Sequence, residues 1–238
     1  MADGKVTIAV DLDGKKAQGD INSLKSSLGG LGSAFKSVLG ANLVSGALMS
    51  GISALTGGVK SAFSSAIDEG AKLQQSIGGI ETLFKDSAGT VKQYANEAFR
   101  TAGVSANEYM ENVTSFSASL ISSLGGDTAK AAELANTAMT DMSDNANKMG
   151  SDMKIITQTY QSLARGNYAM LDNLKLGYGG TKAEMQRLIK DAASYKDVQE
   201  ELNMTVDEGD MSFANMVKAI SVVQKKLGIT GTTAKEAS

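Results

Sequence analysis

The sequence predicts a mainly α fold in which one short N-terminal β-strand is followed by a long Gly/Ser-rich apolar helix and a series of short amphipathic helices. Three observations predict it. The 238 residues include no proline, where average usage near 5% would place about a dozen, so nothing forces a helix to break. Apolar residues recur at steps of three and four along most of the chain, the period of a helix face. Ser, Thr or Asp stands just before several of these stripes, at Ser105 and Thr181 with Glu three residues on, which marks a capped helix start. The 26 glycines then supply the punctuation between elements, through their access to positive φ at helix ends.

The strand comes first, in residues 1–14. Val6, Ile8, Val10 and Leu12 alternate with polar residues up to an Asp13-Gly14 turn signal, the period of a half-buried strand. A lone strand leaves its edge open for pairing with another copy or with a later segment.

Residues 15–69 form a coiled-coil-like and then uncharged Gly/Ser-rich helical segment. Ile21, Leu24, Leu28, Leu31, Phe35 and Val38 alternate steps of three and four, the a/d seam of a coiled coil. Such a seam implies a partner helix from another copy or from the same chain, and Gly29, Gly30 and Gly32 weaken a long rigid rod. Between Lys36 and Lys60 there is no charge. Leu43, Leu48, Ile52, Leu55 and Val59 recur there at near-helical spacing, and small pairs such as Gly46 with Ser50 allow close helix approach. This stretch reads as a packing helix of a bundle or oligomer. Residues 38–59 are also long enough to cross a hydrocarbon core, so insertion into a host membrane is the alternative.

Residues 70–228 carry the short helices. Leu73, Ile77, Ile80 and Phe84 make one stripe, and Val91, Tyr94, Ala98 and Phe99 the next. Ser105 opens a helix with Met110, Val113, Phe116 and Leu120, closed by Gly125-Gly126. Asp127 opens another with Ala131, Leu134, Ala135, Ala138 and Met142. Ile156, Tyr160 and Leu163 run to Gly166, and Thr181 starts a helix with Met185, Leu188, Ile189 and Ala192. Ser212 precedes the last, with Phe213, Met216, Val217, Ile220, Val223 and Leu227 inward and Gly228 as its stop. Residues 229–238 read as a loop or a truncated continuation.

Composition argues against chemistry. With no Cys and no His, thiolate nucleophiles, Cys-ligated metals and the commonest general base near neutral pH are missing. The net charge of -3 offers no basic footprint for nucleic acid. The loop at Gly177, Gly179 and Gly180 leads into a helix, as phosphate-binding loops do, but Gly180-Thr181-Lys182-Ala183 is not a Walker A ending, so it reads as a structural turn. Adjacent carboxylates such as Asp207-Glu208 point apart and read as solvated. The chain is therefore expected to be no enzyme, with no catalytic, cofactor-binding, metal-binding or specific nucleic-acid site.

The run LKLGYGGTKAEMQRLIKDA at 174–192, preceded by TQTYQSLARGNYAMLDN, closely resembles a signature segment of tail tape-measure proteins from long-tailed phages and prophages of Gram-positive bacteria. AKLQQSIGGIETLFKDSAGTVKQYANEAFRTAGVSANEYMENVTSF and the terminal KKLGITGTTAKEAS resemble neighbouring parts of the same N-terminal region. The resemblance implies a structural scaffold of tail assembly, present in several copies inside the tail tube, which sets tail length and leaves during genome ejection. Its implied partners are copies of itself and the tail tube, tail tip and tail assembly chaperone proteins. Its implied places are the host cytoplasm during assembly and the virion tail lumen afterwards.

Overall fold

A computed structural model describes residues 57–233, with side-chain surroundings from residue 71 onward. The chain divides into two units between Ser65 and Ala66, and the second holds all the side chains described. The expected strand, the seam from Ile21 to Val38, and Leu43, Leu48, Ile52 and Leu55 lie outside the described residues. Val59 falls in the first turn of a helix, α1, Gly57–Phe84.

Among the described residues the fold is helical, with no strand. A short 3-10 turn, Lys85–Ser87, joins α1 to α2, Ala88–Ala102. Then come α3, Ala106–Ser123, α4, Thr128–Met149, and α5, Met153–Ala164. An excursion containing a 3-10 turn, Leu171–Leu174, leads to α6, Lys182–Ser194, and the short α7, Lys196–Glu201. The last of these helices is α8, Phe213–Lys226.

Local chemistry sets where these helices start. Ser105, Asp127, Thr181 and Ser212 each accept a hydrogen bond from the backbone N–H three residues on, and Asp152 accepts one from Lys154. Each cap satisfies an otherwise orphaned donor, a contribution of about 1 kcal/mol. Helix ends are equally explicit. After α8, Gly228 turns left-handed at φ 68°, its N–H donates to Lys225 O and that of Ile229 donates to Gln224 O. This paired closure is a Schellman motif, and it returns Ile229 to the core, where it is 1% exposed. The same bond pattern closes α3, α4 and α5.

The core is built from small residues and a few rings. α2, α3 and α4 pack on one another, and α2 turns Ala88, Val91, Ala95, Ala98 and Ala102 inward. Phe99 departs from the expected stripe: it is 77% exposed. The methyl side chains at 95, 98 and 102 let neighbouring helices approach closely along that face, and the large ring next to Ala98 is left on the outside.

α8 is the central helix. It packs against α3, α4, α5, α6 and α7, and from Phe213 to Gln224 every side chain except that of Lys218 is buried. A helix enclosed on nearly all sides must be mostly apolar or small around its circumference, and in FANMVKAISVVQ only Asn215, Lys218 and Gln224 are neither. Phe213 meets Phe116 of α3 edge to face, with ring centroids 6.0 Å apart. Leu227, expected inward, is instead half exposed, because the helix ends at Lys226 and the closing turn carries Leu227 outward.

Candidate functional site

The glycine loop is stapled to α6. Gly179 N–H donates to Glu184 Oε2 at 3.0 Å, and the guanidinium of Arg187 donates to Gly177 O at 2.8 Å and to Glu184 Oε2 at 2.6 Å. Arg187 also stacks 4.3 Å above the Tyr178 ring, whose hydroxyl donates to Asp191 at 2.8 Å. The Arg187 guanidinium and the Gly179 N–H hold the Glu184 carboxyl below the usual range. In a phosphate-binding loop such N–H groups face an anion; here the carboxylate of Glu184 takes that position. Gly180 is required for a different reason, since a Cβ there would collide with the carbonyl oxygen of Ala169.

A second cluster lies in the interior, where α4, α5 and α8 meet. Asp141, Asp144 and Asn145 of α4, Tyr160 of α5, and Ser221 and Gln224 of α8 are each at most 2% exposed. Burial pushes the Asp141 carboxyl up to about 7; the Ser221 hydroxyl opposes the rise and the Asp144 carboxylate adds to it. Burial and the neighbouring Asp141 likewise push the Tyr160 phenol well above its ordinary value. Asn145 donates to Leu174 O at 2.9 Å, which ties α4 to the 3-10 turn. Asp141 Oδ2, Asn145 Oδ1, Tyr160 OH and both amide atoms of Gln224 have no protein partner.

The sequence pattern does not single out these buried groups, although it carries two signals of them. The run Asp141 to Asn145 sets four polar residues around Met142 on a helix whose preceding turns bury alanines. α8, mostly apolar or small, buries its polar side chains Asn215, Ser221 and Gln224 and leaves only Lys218 partly exposed.

Two concavities lie on the surface of the described residues, among others. One, of about 700 Å³, is lined by polar groups that include Lys72, Asn107, Glu111, Asp152, Lys154 and Gln161. The other, of about 450 Å³, is shallow and lined by Ala118, Ser119, Ser122, Ser123, Ala164 and Phe213. Both signs of charge mix in the first and neither reaches the interior carboxyls. Among the described residues no three His, Cys, Asp or Glu side chains gather as a metal centre, and no helix is long and apolar enough to cross a membrane.

No protein-family model matches the sequence, and neither a curated protein nor a solved structure matches it.

Proposed function

We propose that the chain is the N-terminal region of a tail tape-measure protein and acts as a helical scaffold by binding, with no catalytic role. The observation that carries this reading is the resemblance of residues 174–192 and their flanks to that family. The architecture of those residues is compatible with it: they form a loop and helix held by internal pairs, Glu184 with Gly179 and Arg187, Tyr178 with Asp191. Asp141 and Tyr160, both with strongly raised ionisation, are buried away from solvent.

In this reading the strand in residues 1–14 pairs with another copy, the seam of Ile21, Leu24, Leu28, Leu31, Phe35 and Val38 brings copies together, and the uncharged segment packs among them. Tube, tip and chaperone proteins bind the outer helix faces in the host cytoplasm. The assembled scaffold then occupies the tail lumen and leaves ahead of the genome.

In-frame deletions within residues 15–69 test it. Where that segment is a helix along the tail, each residue removed shortens the tail by about 1.5 Å, measured by electron microscopy of particles. Unchanged tail length across several deletions refutes the scaffold. The absence of charge between Lys36 and Lys60 favours one rival, insertion of residues 38–59 into a membrane. Flotation with liposomes that disappears when this segment is removed would establish that activity.

A further inference from the structure

In the corner where α4, α5 and α8 meet, Asp141 Oδ2, Asn145 Oδ1 and the Tyr160 hydroxyl are buried without a protein partner. Their residues are 2%, 0% and 0% exposed. Folded interiors pair nearly all such atoms, either with protein or with ordered water. Asp144, on the same helix, shows what a paired carboxylate looks like. Its Oδ2 accepts from Gly231 N–H at 2.6 Å and its Oδ1 from Thr233 N–H at 2.8 Å. Asp141 Oδ2 receives nothing of the kind.

Helix spacing and contacts bring the three side chains to one corner. Asp141 and Asn145 stand one turn apart on α4, on the same side of that helix. Tyr160 is close enough to Asp141 for the carboxyl to bear on its phenol. The 3-10 turn Leu171–Leu174 sets the level of α5 against α4. Asn145 Nδ2 donates to Leu174 O at 2.9 Å, while the hydroxyl of Thr159, next to Tyr160, donates to Met170 O at 3.3 Å and accepts from Asn173 Nδ2 at 3.4 Å. With its nitrogen committed to Leu174, the Asn145 amide has its oxygen left over.

The needs of these atoms define the ligand. The carboxyl and amide oxygens accept hydrogen bonds, whereas the Tyr160 hydroxyl has a proton to donate. A metal cation would serve the acceptors and leave the phenolic proton facing a positive charge. An anion would find one donor and two acceptors. Water carries two protons and two lone pairs, so it serves all three, and about three bonds is the usual number for a buried water. It also fits either state of Asp141, since it donates to an ionised carboxyl and accepts from a protonated one.

We propose that this corner is a binding site for one ordered water molecule, which bridges α4 to α5 by bonding Asp141 Oδ2, Asn145 Oδ1 and the Tyr160 hydroxyl. The Ser221 hydroxyl, which stabilises the Asp141 carboxylate, brings α8 to the same site. The water belongs to the helical unit itself, independently of any role in a tail.

Oxygen-17 relaxation dispersion of the solvent, which counts water molecules held inside a protein, tests it on the full chain. Asp141→Leu combined with Tyr160→Phe removes an acceptor and the donor while keeping side chains of similar size. This double variant is expected to hold one internal water fewer than the wild type, with hydrogen exchange of α6 reporting an intact fold. A crystal structure of the wild type decides the matter should the double variant misfold. A density peak is expected at about 2.7–3.0 Å from all three oxygens. An unchanged count in the folded double variant overturns the proposal. So does a wild-type crystal structure in which the three side chains bond one another with no peak between them, or in which the peak gives an anomalous signal after thallium soaking, the mark of a cation.

Discussion

Gln199 and Asn215 are about as deeply buried as Asp141 and Gln224, at 5% and 3% exposure against 2% and 0%, yet the two pairs are treated differently by their surroundings. The Gln199 amide donates to Ala192 O and Ala193 O, both at 3.0 Å, and accepts from Val206 N–H at 2.9 Å. Asn215 repeats the device: it donates to Asp207 O and Asp210 O and accepts from Asp207 N–H. Each amide replaces water for backbone groups at a break in the helices, Gln199 where α6 gives way to α7, and Asn215 where the loop before α8 turns. Asp141 sits where α4 runs unbroken, and Gln224 lies in the last turn of α8, where the closing turn at Gly228 already takes up the carbonyls, so the backbone around them is already bonded and has little to offer. What separates the pairs is the supply of unpaired backbone nearby, and depth has little to do with it.

The contrast can be broken by substitution. Gln199→Ala carries the largest expected effect, because it takes the acceptor from Val206 N–H and a donor from each of Ala193 O and Ala192 O, the last of which keeps only the N–H of Tyr195, at about 1 kcal/mol or more each. A loss of about 4 kcal/mol in urea unfolding is expected, and a loss under about 1 kcal/mol would show that water replaces the amide freely. Asp141→Asn acts in the opposite direction. Since burial raises the Asp141 carboxyl to about 7, its contribution to stability is complete below about pH 4 and is lost as pH rises to about 7. The variant should therefore lack this decline between pH 4 and 7 and exceed the wild type near neutrality by up to about 4 kcal/mol. A parallel decline in both proteins would place the titration elsewhere. The smallest change is expected for Gln224→Met, which removes two unpartnered polar atoms while keeping the length of the side chain. Stability should hold or rise by about 1 kcal/mol, and a marked loss would mean that Gln224 is satisfied by ordered water and belongs with Gln199 after all.

Helix starts are legible in the sequence at Ser105, Asp127, Thr181 and Ser212, because a cap is a bond between neighbours in the chain and needs nothing from elsewhere. The start at Asp152 is less visible, although its residue type is equally suited; its partner is Lys154 N–H, one residue nearer than in the other caps. Phe99 and Leu227 depart from their expected places for a common reason. A three-to-four spacing admits residues on either flank of a stripe, and the alanine face of α2 chooses between flanks in one case, the closing turn at Gly228 in the other. The glycine loop is a turn, as its sequence suggests, but only the Thr181 half of the capping box forms: Thr181 N–H donates to Gly179 O and the Glu184 carboxylate bonds elsewhere. Its acceptor atoms reach past Thr181 to Gly179, a distance that the local motif does not specify.

By itself, then, the sequence determined the helical character of the described residues, most of their starts and stops, and most of the stripes that face inward, since these follow from hydrogen bonds and periodicity within a few residues. Which helix would be enclosed on every side was decided by tertiary structure alone. So was the assembly of Asp141, Tyr160 and Ser221 in one interior corner, and the closing of residues 231–233 on Asp144 from nearly ninety positions away. The physical reason is that the cost of burying a polar group depends on the partners it finds, and those partners come from helices far apart in the chain.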